Sequence, residues 1–324
     1  MKKSIKVMIM CLLMVLTIVS HLTTLLVSGP MLCDFCLKAD MPLVNKAFSK
    51  GVSDKTQKFV YDPEWLISAT TREKVTIKSH DGLDLVGYTV THDDDQSDKW
   101  VILMHGYRGS FWDMTGYAKR FFEEGYNILI PSQRGHMESQ GEYITMGYLE
   151  KYDLLEWIEF VGERNTSAKI ALFGTSMGAS TVMMSLGLDL PSSVKVAVAD
   201  CGYTSVLAQL EYLLGGFLGF SENSPLMQLA VAHAKEKLGI DFADVSSTEA
   251  LKSNTIPTIF VHGKEDRFVP FSMLNEVYNS AILLEEGVTK QKLEIAGAKH
   301  TLSASVDPET YYLAVLSFMG KFMN

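Results

Sequence analysis

The sequence predicts an α/β domain, a mainly parallel sheet covered by helices on both faces. Two patterns carry that prediction. Continuous apolar runs of strand length recur at Trp100–Met104, Asn127–Ile130, Lys169–Phe173, Val194–Ala199 and Pro257–Val261. Runs without polar alternation suit strands buried on both sides, the condition of a parallel sheet. Amphipathic stretches of helical length separate most of these runs, and that alternation defines the class. A third feature, Gly174-Thr175-Ser176-Met177-Gly178, sits where one such strand would turn into a helix.

The 324 residues can hold one large α/β domain, and 47% hydrophobic with 21% charged residues is the composition of a chain with a packed core. Net charge is −9, and setting aside Lys2, Lys3 and Lys6 makes the remainder −12. So acidic a body excludes a nucleic-acid partner, because phosphate backbones are bound by clustered Lys and Arg.

Residues 1–30 read as a transmembrane anchor or signal peptide. The three lysines precede the apolar run Val7–Val19, and weaker apolar sequence continues to Gly29-Pro30. About twenty such residues span a bilayer as a helix. The basic start keeps the N-terminus in the cytoplasm and puts the body outside. The absence of an A-x-A-like cleavage site favours an uncleaved single-pass anchor in the cell membrane; secretion after cleavage is the alternative. Residues 31–70, interrupted by Pro42, Gly51 and Pro63, read as a connecting segment. Its Cys33-x-x-Cys36 has neither a thioredoxin-like βαβ unit nor two further zinc ligands nearby, and reads as a local disulfide or two idle thiols.

The domain proper is expected over 71–324. Alternation in Glu73–Ser79, a turn at His80-Asp81-Gly82 and a second run at Leu83–Val90 predict a hairpin. Met114–Glu124 reads as a helix closed by Gly125. Glu150–Val161 aligns Leu154, Trp157, Ile158 and Val161 on one face. Residues of about 203–252 break the rhythm with helices and no strand, which predicts a helical cap over the sheet's C-terminal edge. A last strand at Lys290–Ile295 and a helix at Pro308–Phe322 complete the pattern.

The pentapeptide has the form of a nucleophile elbow. The turn is so sharp that side chains at Gly174 and Gly178 would collide, and it lifts the Ser176 hydroxyl clear of the sheet. Serine needs a base. Of His21, His80, His92, His105, His136, His233, His262 and His300, only His300 lies in the loop after the last strand, at the elbow's edge of the sheet. Asp266, in the loop after Thr258–Val261, is the carboxylate to orient it; neighbouring Glu265 would point elsewhere. The order Ser, Asp, His is that of α/β-hydrolases. For the oxyanion, main-chain N–H groups of Met177 and Tyr107 are the candidates, with Gly106 allowing close approach and His105 bracing the loop.

Leu103-Met104-His105-Gly106-Tyr107, the elbow, His262-Gly263-Lys264-Glu265-Asp266-Arg267-Phe268-Val269-Pro270 and His300 together resemble the α/β-hydrolase superfamily. The branch most resembled is that of serine aminopeptidase-like and monoglyceride-lipase-like hydrolases. Gln133-Arg134-Gly135-His136-Met137-Glu138-Ser139 is similar to an Asp-x-Arg-Gly-x-Gly-x-Ser segment of that branch, with Gln133 and Met137 as departures. The resemblance implies an eight-stranded, mostly parallel sheet, a lid that sets substrate choice, and acyl-enzyme chemistry without metal or cofactor. Apolar cap residues Leu213, Leu214, Phe217, Leu218 and Phe220 point to a partly hydrophobic ester or lipid. A peptide substrate, a thioester, or a catalytically idle ligand-binding protein on the same fold are the alternatives.

Overall fold

The computed structural model describes residues 13, 14, 16, 17, 20, 27–42, 60–92, 97–218, 221, 223–281 and 290–323. Eight strands form one sheet: β1 (Arg72–Lys78), β2 (Asp84–Val90), β3 (Lys99–Met104), β4 (Asn127–Pro131), β5 (Lys169–Thr175), β6 (Val194–Asp200), β7 (Thr258–Gly263) and β8 (Lys290–Ile295). Their spatial order is β1-β2-β4-β3-β5-β6-β7-β8. The predicted hairpin pairs antiparallel, Val75 opposite Gly87, and β2 also runs antiparallel to β4. All later neighbours are parallel.

Period-two alternation within the buried strands sorts their side chains onto two helical layers. Val101, Leu103, Ala171 and Phe173 face a layer that contains Tyr117 and Phe121 of α2 (Thr115–Glu123) and Tyr311, Val315 and Phe318 of α10 (Pro308–Gly320). Trp100, Ile102, Ile170 and Leu172 face the other, with Leu154, Trp157, Ile158 and Val161 of α3 (Glu150–Arg164), Val182 of α4 (Met177–Ser185) and Val277 of α8 (Ser272–Ser280). The stripe expected on Glu150–Val161 is the one buried. A short α1 (Pro63–Ser68) precedes β1, started by Asp62, whose side chain accepts the Trp65 N–H.

Between β6 and β7 the chain forms α5 (Val206–Leu218), α6 (Pro225–Leu238), a 3₁₀ turn (Phe242–Asp244) and α7 (Ser247–Leu251). The insertion is helical as expected, but its last piece belongs to the body of the domain: α7 packs on α4 and α8. Leu251 is fully buried in their layer, and that burial decides its place. The side chains of Phe217, Leu218 and Phe220 lie outside the described residues.

The division at residue 30 falls inside a helix that runs over 27–37. One face of it, Cys33 and Leu37, is buried in a third apolar cluster with Tyr143, Met227 and Ala230, and that packing carries the helix through Pro30. Cys33 and Cys36 are free thiols, held protonated: burial pushes Cys33 to about 11 and Cys36 to about 12. Cys201 is also free and buried, while Cys11 lies outside the described residues. Among the described residues no helix is long and apolar enough to cross a membrane, and most of the expected anchor, residues 1–12, 15, 18, 19 and 21–26, lies outside them.

The loop after β4 is fastened by charge. The Arg134 side chain, 3% exposed, donates to both Asp153 oxygens at 2.6 Å and to Asp81 at 2.9 and 3.1 Å. Removing Asp153 leaves the buried guanidinium with only the part-exposed Asp81 to balance it. Asp153→Ala is therefore expected to lower the unfolding free energy by about 3–5 kcal/mol, measured by chemical denaturation.

Candidate active site

The parallel strands end on one edge, and the predicted site residues meet there. β5 runs straight into α4 through Ser176, whose φ of 55° and ψ of −123° are strained for a residue with a side chain. Two main-chain bonds hold it: Ser176 N–H donates to Asp200 O at 2.8 Å, and Ser180 N–H to Ser176 O at 3.0 Å. A Cβ at Gly174 would lie 2.3 Å from Gly178 O, and one at Gly178 would lie 2.1 Å from Met104 O. Neither position can carry a side chain.

His300 Nε2 lies 2.8 Å from Ser176 Oγ, and its Nδ1 lies 2.7 Å from Asp266 Oδ2. A carboxylate only accepts, so the Nδ1–H donates to Asp266 and Nε2 is left to receive the serine proton. Asp266 Oδ1 accepts the N–H groups of Phe268 and Val269 at 2.9 and 3.0 Å. His262 Nε2 reaches both Asp266 Oδ2 (3.2 Å) and Val269 O (3.1 Å). Both neighbours are acceptors, so that nitrogen is the donor. Burial alone would raise Asp266, but His300 and His262 outweigh it and hold the carboxyl at about 2. The relay is thus charged at its buried end. The Phe268 ring lies against His300, 4.9 Å between centroids.

The loop after β3 passes over the serine: a Cβ on Gly106 would lie 3.3 Å from Ser176 Cβ. His105 Nε2 accepts the Gln133 N–H at 3.1 Å while its Nδ1–H donates to Gly106 O at 2.9 Å. Gln133 Nε2 in turn donates to His105 O, and Thr181 of α4 donates to Gln133 Oε1 at 3.4 Å. His136 repeats the arrangement, Nδ1–H to Arg134 O and Nε2 accepting the Arg108 N–H at 3.0 Å. Burial lowers both imidazoles, His136 to about 3, so both stay neutral and keep one acceptor nitrogen. The His105 ring thus bonds the main chain of both the β3 loop and the β4 loop. Met177 is fully buried at the start of α4.

Four contributors were not singled out as site residues by sequence reasoning. His262 was visible in its own motif, one position before Gly263. Gln133, a departure from the resembled motif, ties the β3 loop to α4. Arg108 is joined to residues some seventy positions earlier, which no local pattern reveals. Asp200 accepts Ser176 N–H through its carbonyl and the Tyr311 hydroxyl at 2.9 Å through its side chain, and burial raises its carboxyl to about 6.

Two groups of metal-type side chains gather among the described residues. Cys201, Asp266 and His300 are relay components beside a thiol that burial keeps protonated. In the group of His80, Asp81 and Asp153, the Arg134 guanidinium already supplies the cation to both carboxylates.

The chain has the α/β-hydrolase fold. Residues 95–213, which include β3, the elbow and α4, match the family model "Serine aminopeptidase, S33". The chain is 27% identical over 75% of its length to YqkD of Bacillus subtilis (strain 168), covering 77% of that protein. It is 22% identical over 64% of its length to a non-heme chloroperoxidase of Burkholderia pyrrocinia, covering 87% of it. The Pyrococcus furiosus esterase Pf2001 superposes with a TM-score of 0.63 at 24% identity, over 82% of this chain and 96% of that one.

Acid should loosen the loop through its histidines. His136 takes a proton near 6.5 when unfolded and only near 3 when folded, so the unfolded chain binds more protons between those values and stability falls as pH drops through them. In His136→Asn, the difference from the parent's unfolding free energy should change across this window by up to about 1.4 kcal/mol per pH unit, read from urea denaturation at a series of pH values.

Proposed function

We propose that the protein is a serine hydrolase that cleaves an ester-type bond of a small, partly hydrophobic substrate, in the manner of a carboxylesterase or lipase. One observation carries the reading: Ser176 Oγ, His300 Nε2, His300 Nδ1 and Asp266 Oδ2 stand in line at 2.8 and 2.7 Å on a strained strand-to-helix turn. His300 takes the Ser176 proton as Oγ forms its bond to the substrate carbonyl carbon. Asp266, ionised throughout the working range, stabilises the imidazolium. The oxyanion is assigned to the main-chain N–H groups of Tyr107 and Met177. Collapse of the tetrahedral adduct expels the alcohol with the proton from His300, and water repeats the sequence to release the acid.

Apolar surroundings support the substrate class. Met177, Val206, Leu210 and Met227 form one cluster at the sheet edge, with Tyr107, Leu207, Leu214 and Phe268 against it. The matched family model favours a second reading, a peptidase. Peptide-amine recognition wants an uncommitted carboxylate in the insertion, and Asp241 there is engaged by Lys235 at 2.6 Å and by Ala243 N–H at 3.1 Å. Asp241 is thus committed to its own helix end, and the apolar cluster beside Ser176 supports the ester reading.

A fluorophosphonate probe is expected to label the wild type and not Ser176→Ala. Asp266→Asn should lose about 10⁴-fold in kcat. p-Nitrophenyl esters of graded chain length should turn over far faster than aminoacyl anilides; the reverse preference would favour the peptidase.

The body is assigned to the outer face of the cell membrane, held by the N-terminal segment. Val27, Met31 and Phe35 support this: spaced by one helical turn each, they expose 55, 65 and 49% of their surface on the helix 27–37. Such a stripe suits lipid better than water. The full chain should stay with membranes through a carbonate wash; its appearance in the soluble fraction would count against the anchor.

A further inference from the structure

The helix over 27–37 ends against the loop that carries Tyr107, and its ending is unusual. The last carbonyls of a helix have no partner within it. Here side chains of that loop take them. Tyr107 Oη–H donates to Cys36 O at 2.5 Å. The Arg108 guanidinium donates to Lys38 O at 2.7 Å, to Ala39 O at 3.1 Å and to Phe35 O at 3.5 Å. Its Nε–H donates back to Tyr107 Oη at 2.7 Å, and the guanidinium lies 4.9 Å from the centre of the Tyr107 ring. A cation at a helix C-terminus also meets the negative end of the helix dipole.

Arg108 holds this position in a left-handed backbone, φ 53°, with its N–H given to His136 Nε2 at 3.0 Å. Such strain persists only where surrounding bonds over-determine it. The helix is seated independently of Arg108. Leu37 O accepts Ile144 N–H at 2.7 Å, Ala39 N–H donates to Glu142 O at 2.9 Å, and Asp34 accepts the Tyr143 hydroxyl at 3.2 Å. It is therefore a fixed post, and the loop between Gly106 and Gly109 is tied to it.

We propose that Arg108 is a positioning residue for acyl transfer: it fastens Tyr107 to the C-terminal end of helix 27–37, which makes that helix a working part of the active site. This rests on the serine-hydrolase reading, in which the Tyr107 N–H meets the oxyanion. Stabilisation of that charge depends on donors held in place before reaction, and a full donor is worth about 10²–10³ in kcat. A donor that is loosened and not removed loses part of this. The clamp acts on a charge that exists only after attack, so it bears on kcat and leaves ground-state binding alone.

The test is made on the full-length chain with a short p-nitrophenyl ester and a trifluoromethyl ketone, whose adduct with Ser176 carries the same oxyanion. In Arg108→Ala, kcat should fall about tenfold with KM within about twofold, and the ketone's inhibition constant should rise in step with the loss in kcat. Arg108→Lys, able to reach one or two of the carbonyls, should recover part of both. A residue that only stabilised the fold would lower the unfolding midpoint without moving kcat and ketone affinity together. Should Arg108→Ala fail to fold, Tyr107→Phe removes only the hydroxyl link and is expected to shift both quantities in the same direction by about threefold. Unchanged kcat and ketone affinity in either folded variant would overturn the clamp, as would a rise in KM that accounts for the whole loss. A wild type that neither takes the fluorophosphonate nor turns over ester overturns the hydrolase reading and the clamp with it. An active, labelled wild type beside an indifferent Arg108→Ala overturns the clamp alone.

Discussion

At the turn between β5 and α4 the chain reverses so tightly that the carbonyl of Gly178 occupies the place of a Gly174 side chain, and Met104 O that of a Gly178 side chain. Everything at the sheet edge is arranged about this contact. It forces Ser176 into positive φ, and the main-chain bond from its N–H to Asp200 O ties the strained residue to the end of β6. The same closeness brings β3 and its loop against α4. Gly106 can therefore pass within van der Waals reach of the serine, and a larger residue at Gly178 would push that loop away. Strain of this kind, on the order of 1–3 kcal/mol, is maintained because the flanking strands are fully buried and cannot relax.

Charge at the site is distributed by burial and by hydrogen bonds. Asp266 is kept ionised by four donors, two of them imidazoles, although burial alone would neutralise it. His105 and His136 stay neutral because nothing anionic lies close enough to offset desolvation, and each then offers one acceptor nitrogen to a main-chain N–H. Arg134 stays charged in the same neighbourhood by engaging two aspartates at once. Three histidines that look alike in sequence thus serve differently. His300 meets a carboxylate and a hydroxyl, whereas the ring nitrogens of His105 and His136 bond main-chain groups. A neutral scaffold thus stands beside an ionised Asp266.

The third apolar cluster joins parts that are far apart in the chain: Cys33 and Leu37, Tyr143 and Ile144, Met177, and Met227 with Ala230. It covers the same sheet edge at which Ser176 emerges. The insertion after β6 and the helix over 27–37 therefore pack into one cluster with Met177.

Much of this was legible in the linear chain, and the reason is local. All eight strands fell within a few residues of their expected places, because a strand buried on both faces must be continuously apolar and a hairpin must alternate. Gly174, Ser176 and Gly178 are set by steric limits that act over five residues, and Asp266 and His300 follow from their positions after β7 and β8. How the helix over 27–37, the insertion and Arg108 are seated was not legible in this way. Each depends on which distant surface a segment meets: Cys33 and Leu37 on α6, α7 on α4 and α8, and the guanidinium on carbonyls some seventy residues earlier. Sequence alone determined which residues could perform the chemistry, since backbone sterics and side-chain periodicity are short-range. Tertiary structure decided which of them are charged, which are neutral and what holds them still, because desolvation and hydrogen-bond partners exist only once the chain has closed on itself.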